Sequence, residues 1–148
     1  MVMKMEEEGR IGLNNTFEEL VPNYSNTEIK NVTVLKALSH YGRLPAWIPF
    51  YIRTLDENKK PSSEFYRNSP LPGFSTKVYD NLYLTDAYQD SIYNRIGRQD
   101  LKSNRYRYSD VPYYVMKKVI EDSYGQRLDH LSNKFLYQRI GANHTTYN

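Results

Sequence analysis

Tyr108, Ser109 and Asp110 close the run Asn104-Arg-Tyr-Arg-Tyr-Ser-Asp110. A phenol, a hydroxyl and a carboxylate in consecutive positions can hold, accept or pass a proton. The residues after Asp110 supply rigidity. Ser109 or Asp110 can cap a helix by accepting hydrogen bonds from its free N–H groups. Pro112 falls in the first turn, where its missing N–H is harmless. Val111, Val115, Met116, Val119 and Ile120 recur at helical spacing, and Gly125 stands where a left-handed terminating residue is wanted. Tyr108 is therefore expected at the entrance of a helix whose dipole favours an anion, a setting that would lower the phenol's pKa and make it a proton acceptor. By spacing alone, the simpler reading is an aromatic residue packed ahead of a helix.

Other candidate chemistries are weaker. His40, His130 and His144 lack metal-ligand spacing, so no metal site is expected. Ser75 in Gly73-Phe-Ser-Thr-Lys77 lacks the second glycine of a nucleophile elbow. Glu121-Asp122 reads as a solvated pair near a helix end. The chain has no cysteine, which excludes disulfides and thiolate chemistry within it. Lys and Arg exceed Asp and Glu only by 20 to 17, too little to imply a nucleic-acid partner, although Arg105 to Tyr108 alternates cation and aromatic. No apolar run approaches the ~20 residues of a membrane span. Met-Val-Met-Lys-Met is followed by three glutamates, so no signal peptide is visible and the compartment stays unassigned.

The elements that must position the motif read as mainly helical. Hydrophobic residues make up 39% of the 148, and tyrosine supplies 15 of the 21 aromatics, so burial must be amphipathic. We expect one helical domain over 1–148: a helix tail over 1–8 closed by Gly9, a loop with a helical turn over 14–22, and a short helix from Thr33 to about Leu38. A helix from Thr85 or Asp86 to about Ile96 should turn Ala87, Ile92, Tyr93 and Ile96 to one side. Two terminal helices are expected at about 111–124 and 127–138. Residues 44–80 contain five of the seven prolines and read as a long loop region rich in proline and tyrosine, with Lys59-Lys-Pro-Ser-Ser63 at its tip. Trp47 is expected to anchor that loop in the core. No strand alternation is evident, so little or no sheet is predicted.

Several segments resemble, in order, the class C β-lactamase and penicillin-binding-protein-like serine hydrolases. Tyr108-Ser-Asp110 and the helix to Gly125 look like that family's Tyr-x-Asn motif and the tyrosine-rich helix after it. Gln126 to Gly141 is similar to the next helix and its Pro-Leu-Gly-Met turn, and 142–148 to the threonine-containing tail of that turn. Val32-Thr-Val-Leu-Lys-Ala-Leu-Ser-His40, with Leu44-Pro-Ala-Trp47 after it, resembles an Ile-Thr-Ile-x-x-Leu-Leu-Thr-His segment. Glu7-Glu-Gly-Arg-Ile-Gly-Leu-Asn-Asn15 resembles the end of the nucleophile helix. The chain departs from the pattern at Asp110, where the family has Asn, at Tyr41-Gly-Arg43, and at Arg139-Ile-Gly-Ala142.

The resemblance implies acyl transfer or hydrolysis at an amide or ester carbonyl without a cofactor. It makes Tyr108 the proton shuttle, sets Asp110 in the position that contacts the catalytic lysine and the substrate, and places Trp47 where it could line the cleft. No Ser-x-x-Lys occurs in the sequence, and the family's third motif would come after its last residue. The expectation is an internal piece matching the family's helical subdomain, inactive by itself, whose partners are the remainder of such a domain or another copy meeting it through exposed apolar surface. The alternative is a non-catalytic helical binding or scaffold module. Penicillins, D-amino-acid peptides and simple esters all suit the family as substrates.

Overall fold

The computed structural model describes residues 1–145. Its order is α1 (Val2–Glu7), α2 (Phe17–Leu20), a 3-10 turn (Pro22–Tyr24), α3 (Val34–Leu38), a 3-10 helix (Phe50–Thr54), β1 (Tyr66–Arg67), β2 (Thr76–Tyr79), β3 (Leu82–Leu84), α4 (Tyr88–Gly97), α5 (Val111–Tyr124) and α6 (Leu128–Ser132). A π-helical turn, Asn133–Tyr137, continues α6. The segment expected at 142–148 lies partly outside the described residues.

Helix α5 is the organiser. Val111, Val115, Met116, Val119 and Ile120 are all buried, as their spacing predicts, and Gly125 ends the helix at φ 62°. Around this apolar stripe pack α1, α3, α4 and α6. They contribute Met5, Val34, Ala37, Ile96 and Leu131 to one buried cluster that also holds Phe17, Tyr24 and Ile29. Thr33 caps α3 by accepting from Lys36 N at 3.3 Å.

The fold is mainly helical but not free of sheet. Three short strands pair antiparallel in the order β1-β3-β2, with Tyr66 opposite Leu84 and Lys77 opposite Tyr83. This small sheet stays within the expectation of little sheet, although no strand alternation marks it in the sequence. β1 and β2, with the 3-10 helix, lie within the span expected as loop. The cause is local: only Asp80 and Asn81 separate β2 from β3, which makes a hairpin. Helix α4 also starts later than expected. Asp86 turns back to the start of β2, accepting from Ser75 N at 2.9 Å and Ser75 Oγ at 2.8 Å, and exposed Ala87 is the residue that precedes α4. Among the described residues no helix is long and apolar enough to cross a membrane.

Glu8, in the segment after α1, ties that helix to the end of α5. Its carboxylate meets Lys4 Nζ at 2.6 Å and Arg10 Nε at 2.9 Å, and accepts from Tyr124 Oη at 2.6 Å. These donors, Lys4 first and then Tyr124, hold Glu8 at about 2, against an ordinary 4.5. The folded value lies below the unfolded one, so the contribution is complete above pH 4.5 and is lost as the pH falls toward 2. Glu8→Gln should lower the melting temperature slightly at neutral pH and flatten its fall across that acid window. An unchanged acid slope would show that Glu8 does not couple the helices.

Candidate functional site

Two distant stretches form the site by pairing along their backbones. Arg43 and Lys102 bond twice, Lys102 N donating to Arg43 O at 2.8 Å and Arg43 Nε to Lys102 O at 2.6 Å. Arg107 N donates to His40 O at 3.0 Å, and Asp110 N to Ala46 O at 2.8 Å. Ser109 is the central bolt. Its hydroxyl donates to Pro45 O at 2.6 Å and accepts from Val111 N at 3.2 Å, while its own N–H donates to His40 Nδ1 at 3.3 Å. An acceptor Nδ1 requires the proton of a neutral His40 to sit on Nε2.

Of the two capping candidates, Ser109 therefore supplies the side-chain bond, and Asp110 makes none to the helix. Ser109 is buried to 2% exposure, and losing its hydroxyl would strand a carbonyl and an N–H. Ser109→Ala is expected to cost about 1–3 kcal/mol of unfolding free energy. Urea denaturation tests this; a loss within ~0.5 kcal/mol, as for an ordinary surface substitution, would remove Ser109 from the central role.

Tyr108 stands immediately before this bolt, 56% exposed. Its ring lies 4.6 Å from the His40 ring at 41°, and Tyr106 and Tyr113 meet the same ring at 6.0 and 6.4 Å. Tyr41 meets Tyr106 at 5.7 Å. The result is an exposed aromatic cluster centred on His40, with the phenol of Tyr108 open to solvent. The aromatic partnership of His40 is not legible in the sequence, because 68 positions separate it from Tyr108 and neither carries a local signal of contact.

The electrostatics reverse the sequence expectation. The Tyr108 phenol is raised above its ordinary value, first by hydrogen bonding with the Asp110 carboxyl and then by that group's charge. The helix entrance favours an anion, but Asp110 is the anion placed there, and it opposes a second one on Tyr108. Trp47 also departs from its expected role. It is 59% exposed and not a core anchor. Leu44, Ile48 and Phe50 are buried instead, leaving Ala46 and Trp47 outward. Trp47 nevertheless comes directly after the carbonyl that receives Asp110 N, so the chain brings it beside the motif. Among the described residues no group of three or more His, Asp or Glu side chains could hold a metal ion.

A sequence model of the β-lactamase family matches residues 1–148. The chain belongs to the β-lactamase family. No curated protein matches it by sequence. Among solved structures, this β-lactamase family member is similar to a class C β-lactamase from Rhodobacter sphaeroides, at 13% identity and TM-score 0.58, with 93% of this chain and 30% of that one covered. It is also similar to EstCE1, a hydrolase with promiscuous acyltransferase activity, at 18% identity and TM-score 0.57, with 94% and 34% covered. The chain thus spans about a third of the length of these structures. At such identities the likeness establishes the fold.

Proposed function

We infer that residues 1–148 act as one helical subdomain of a serine hydrolase that transfers or hydrolyses acyl groups at amide or ester bonds. Tyr108 is the proton shuttle, Asp110 meets the catalytic lysine and the substrate, and Trp47 lines the cleft. The observation that carries this reading is the placement of Tyr108: a solvent-open phenol fixed at the entrance of α5 by the Ser109 bolt, in a chain matched by the family from end to end. A serine nucleophile and a lysine must come from outside these residues, since no Ser-x-x-Lys occurs among them. Penicillins, esters and D-amino-acid peptides fit the reaction class.

By this reading the polypeptide of 1–148 is inactive by itself. Its partner is the rest of such a domain, or another copy met through exposed apolar side chains such as Met3, Leu136 and Ile140. Incubation with a fluorophosphonate or a labelled penicillin should leave it unmodified. Mixing with polypeptides that carry the Ser-x-x-Lys and Lys-Thr-Gly motifs should restore ester hydrolysis. Covalent labelling of 1–148 alone would refute the assignment.

A second reading, a binding or scaffold module without chemistry, is favoured by one observation. Asp110 stands where the family has Asn and raises the phenol that would have to accept a proton. Complementation separates the two, because a scaffold would bind the missing parts without restoring turnover.

A further inference from the structure

We propose that a cleft of about 260 Å³ between α4 and the 3-10 helix Phe50–Thr54 binds a small phosphate-class oxyanion. Arg53 enters from the 3-10 helix, and Arg95 and Arg98 from the end of α4; no acidic residue lines the cleft. Among the described residues none of these arginines takes part in an ion pair. The dipole of α4 favours a cation at its C-terminal end, which accounts for an arginine there. It does not account for a third arginine, Arg53, from a distant part of the chain lining the same cleft.

The cleft is built to keep its shape. The Phe50 carbonyl accepts from Tyr88 Oη at 2.6 Å and from Arg95 at 3.3 Å, fastening the 3-10 helix to α4. Arg95 also lies over the Phe50 ring at 5.2 Å, and Phe65 packs edge-on against Tyr88 at 5.4 Å. Ser91 and Asn94 share the face of α4 that presents the two arginines and add uncharged donors, with no side-chain bond of their own among the described residues. Planar guanidinium groups pair two N–H donors with two phosphate oxygens, a geometry that selects tetrahedral dianions over halides. The volume falls below the roughly 300–1,000 Å³ of sites for drug-sized ligands, which suits phosphate or a compact phosphate ester. None of the residues lining the cleft belongs to the Tyr108 site, and the proposal does not depend on the hydrolase reading.

Isothermal titration of the chain with inorganic phosphate and with phenyl phosphate, at low ionic strength, tests the proposal, with sodium chloride and acetate as controls. Saturable one-site binding of either phosphate is expected, and phenyl phosphate binding alone would identify an ester as the ligand. Arg53→Gln and Arg98→Gln, both at exposed positions, should each weaken it by about tenfold with unchanged circular dichroism. Amide shifts on titration should centre on Arg53 and Ser91 to Arg98. Absence of saturation up to tens of millimolar, equal response to chloride, or unchanged affinity in the double variant would overturn it.

Discussion

Tyr108→Phe, in an assembly that restores ester hydrolysis, is expected to lower kcat/KM by about 10²–10⁴-fold, the usual span for a positioned proton-transfer group. At ~1.36 kcal/mol per tenfold, that is about 3–5 kcal/mol of transition-state stabilisation. The substitution removes one oxygen and keeps the ring that packs on His40 at 4.6 Å. Because the side chain is largely exposed, stability should change by no more than ~0.5 kcal/mol, so a large rate loss reports chemistry and not unfolding. Asp110→Asn sharpens the test. The carboxyl raises the phenol, so its removal should lower the phenol's pKa and shift the rising limb of the pH–rate profile to lower pH. Full activity in Tyr108→Phe would end the assignment of Tyr108 as shuttle.

The second large effect lies in the core. Phe17 is fully buried, its ring 6.3 Å from that of Tyr24, and its N–H donates to Val32 O at 2.9 Å. Phe17→Ala removes most of a large side chain where α2, the adjoining 3-10 turn and the approach to α3 meet, and should cost about 3–5 kcal/mol in urea unfolding. Domains of this size have only about 5–15 kcal/mol in total, so the variant should be close to unfolding. Leu35→Ala, at 49% exposure on α3, provides the control and should fall within ~0.5 kcal/mol. A Phe17→Ala loss below ~1 kcal/mol would mean that this junction is loosely packed.

The parts of the fold that are legible in the sequence are those with local causes. Helix α5 is marked by Pro112, its apolar spacing and Gly125, and α3 by Thr33. The hairpin escapes a sequence reading although Thr76 to Tyr79 and Leu82 to Leu84 are rich in strand-forming residues on either side of Asp80-Asn81. Their side chains are mostly exposed or half-buried, so no alternation of apolar and polar residues marks them. Trp47 misleads because a large aromatic in an apolar run suggests burial, whereas Leu44, Ile48 and Phe50 take the inward positions. At the site, the Tyr-x-Asp motif can be found by resemblance, but its supports cannot. Ser109 binds Pro45, and His40 carries the aromatic cluster, through contacts that only the folded chain creates. The expected direction of the Tyr108 shift fails for a related reason: the helix dipole acts together with a neighbouring carboxylate that already occupies its positive end.

The pairing of 40–46 with 102–110 also separates what this protein can vary from what it must keep. The chain leaves the motif after Ala46 and returns at Lys102, and the two stretches are stapled by main-chain bonds, Lys102 N to Arg43 O, Arg107 N to His40 O and Asp110 N to Ala46 O, that ask little of side-chain identity. Doubling the length of such an excursion adds only ~0.6 kcal/mol of closure entropy. Insertions or deletions at the exposed bend near Lys59 can therefore accumulate over evolutionary time while the geometry around Tyr108 is inherited intact.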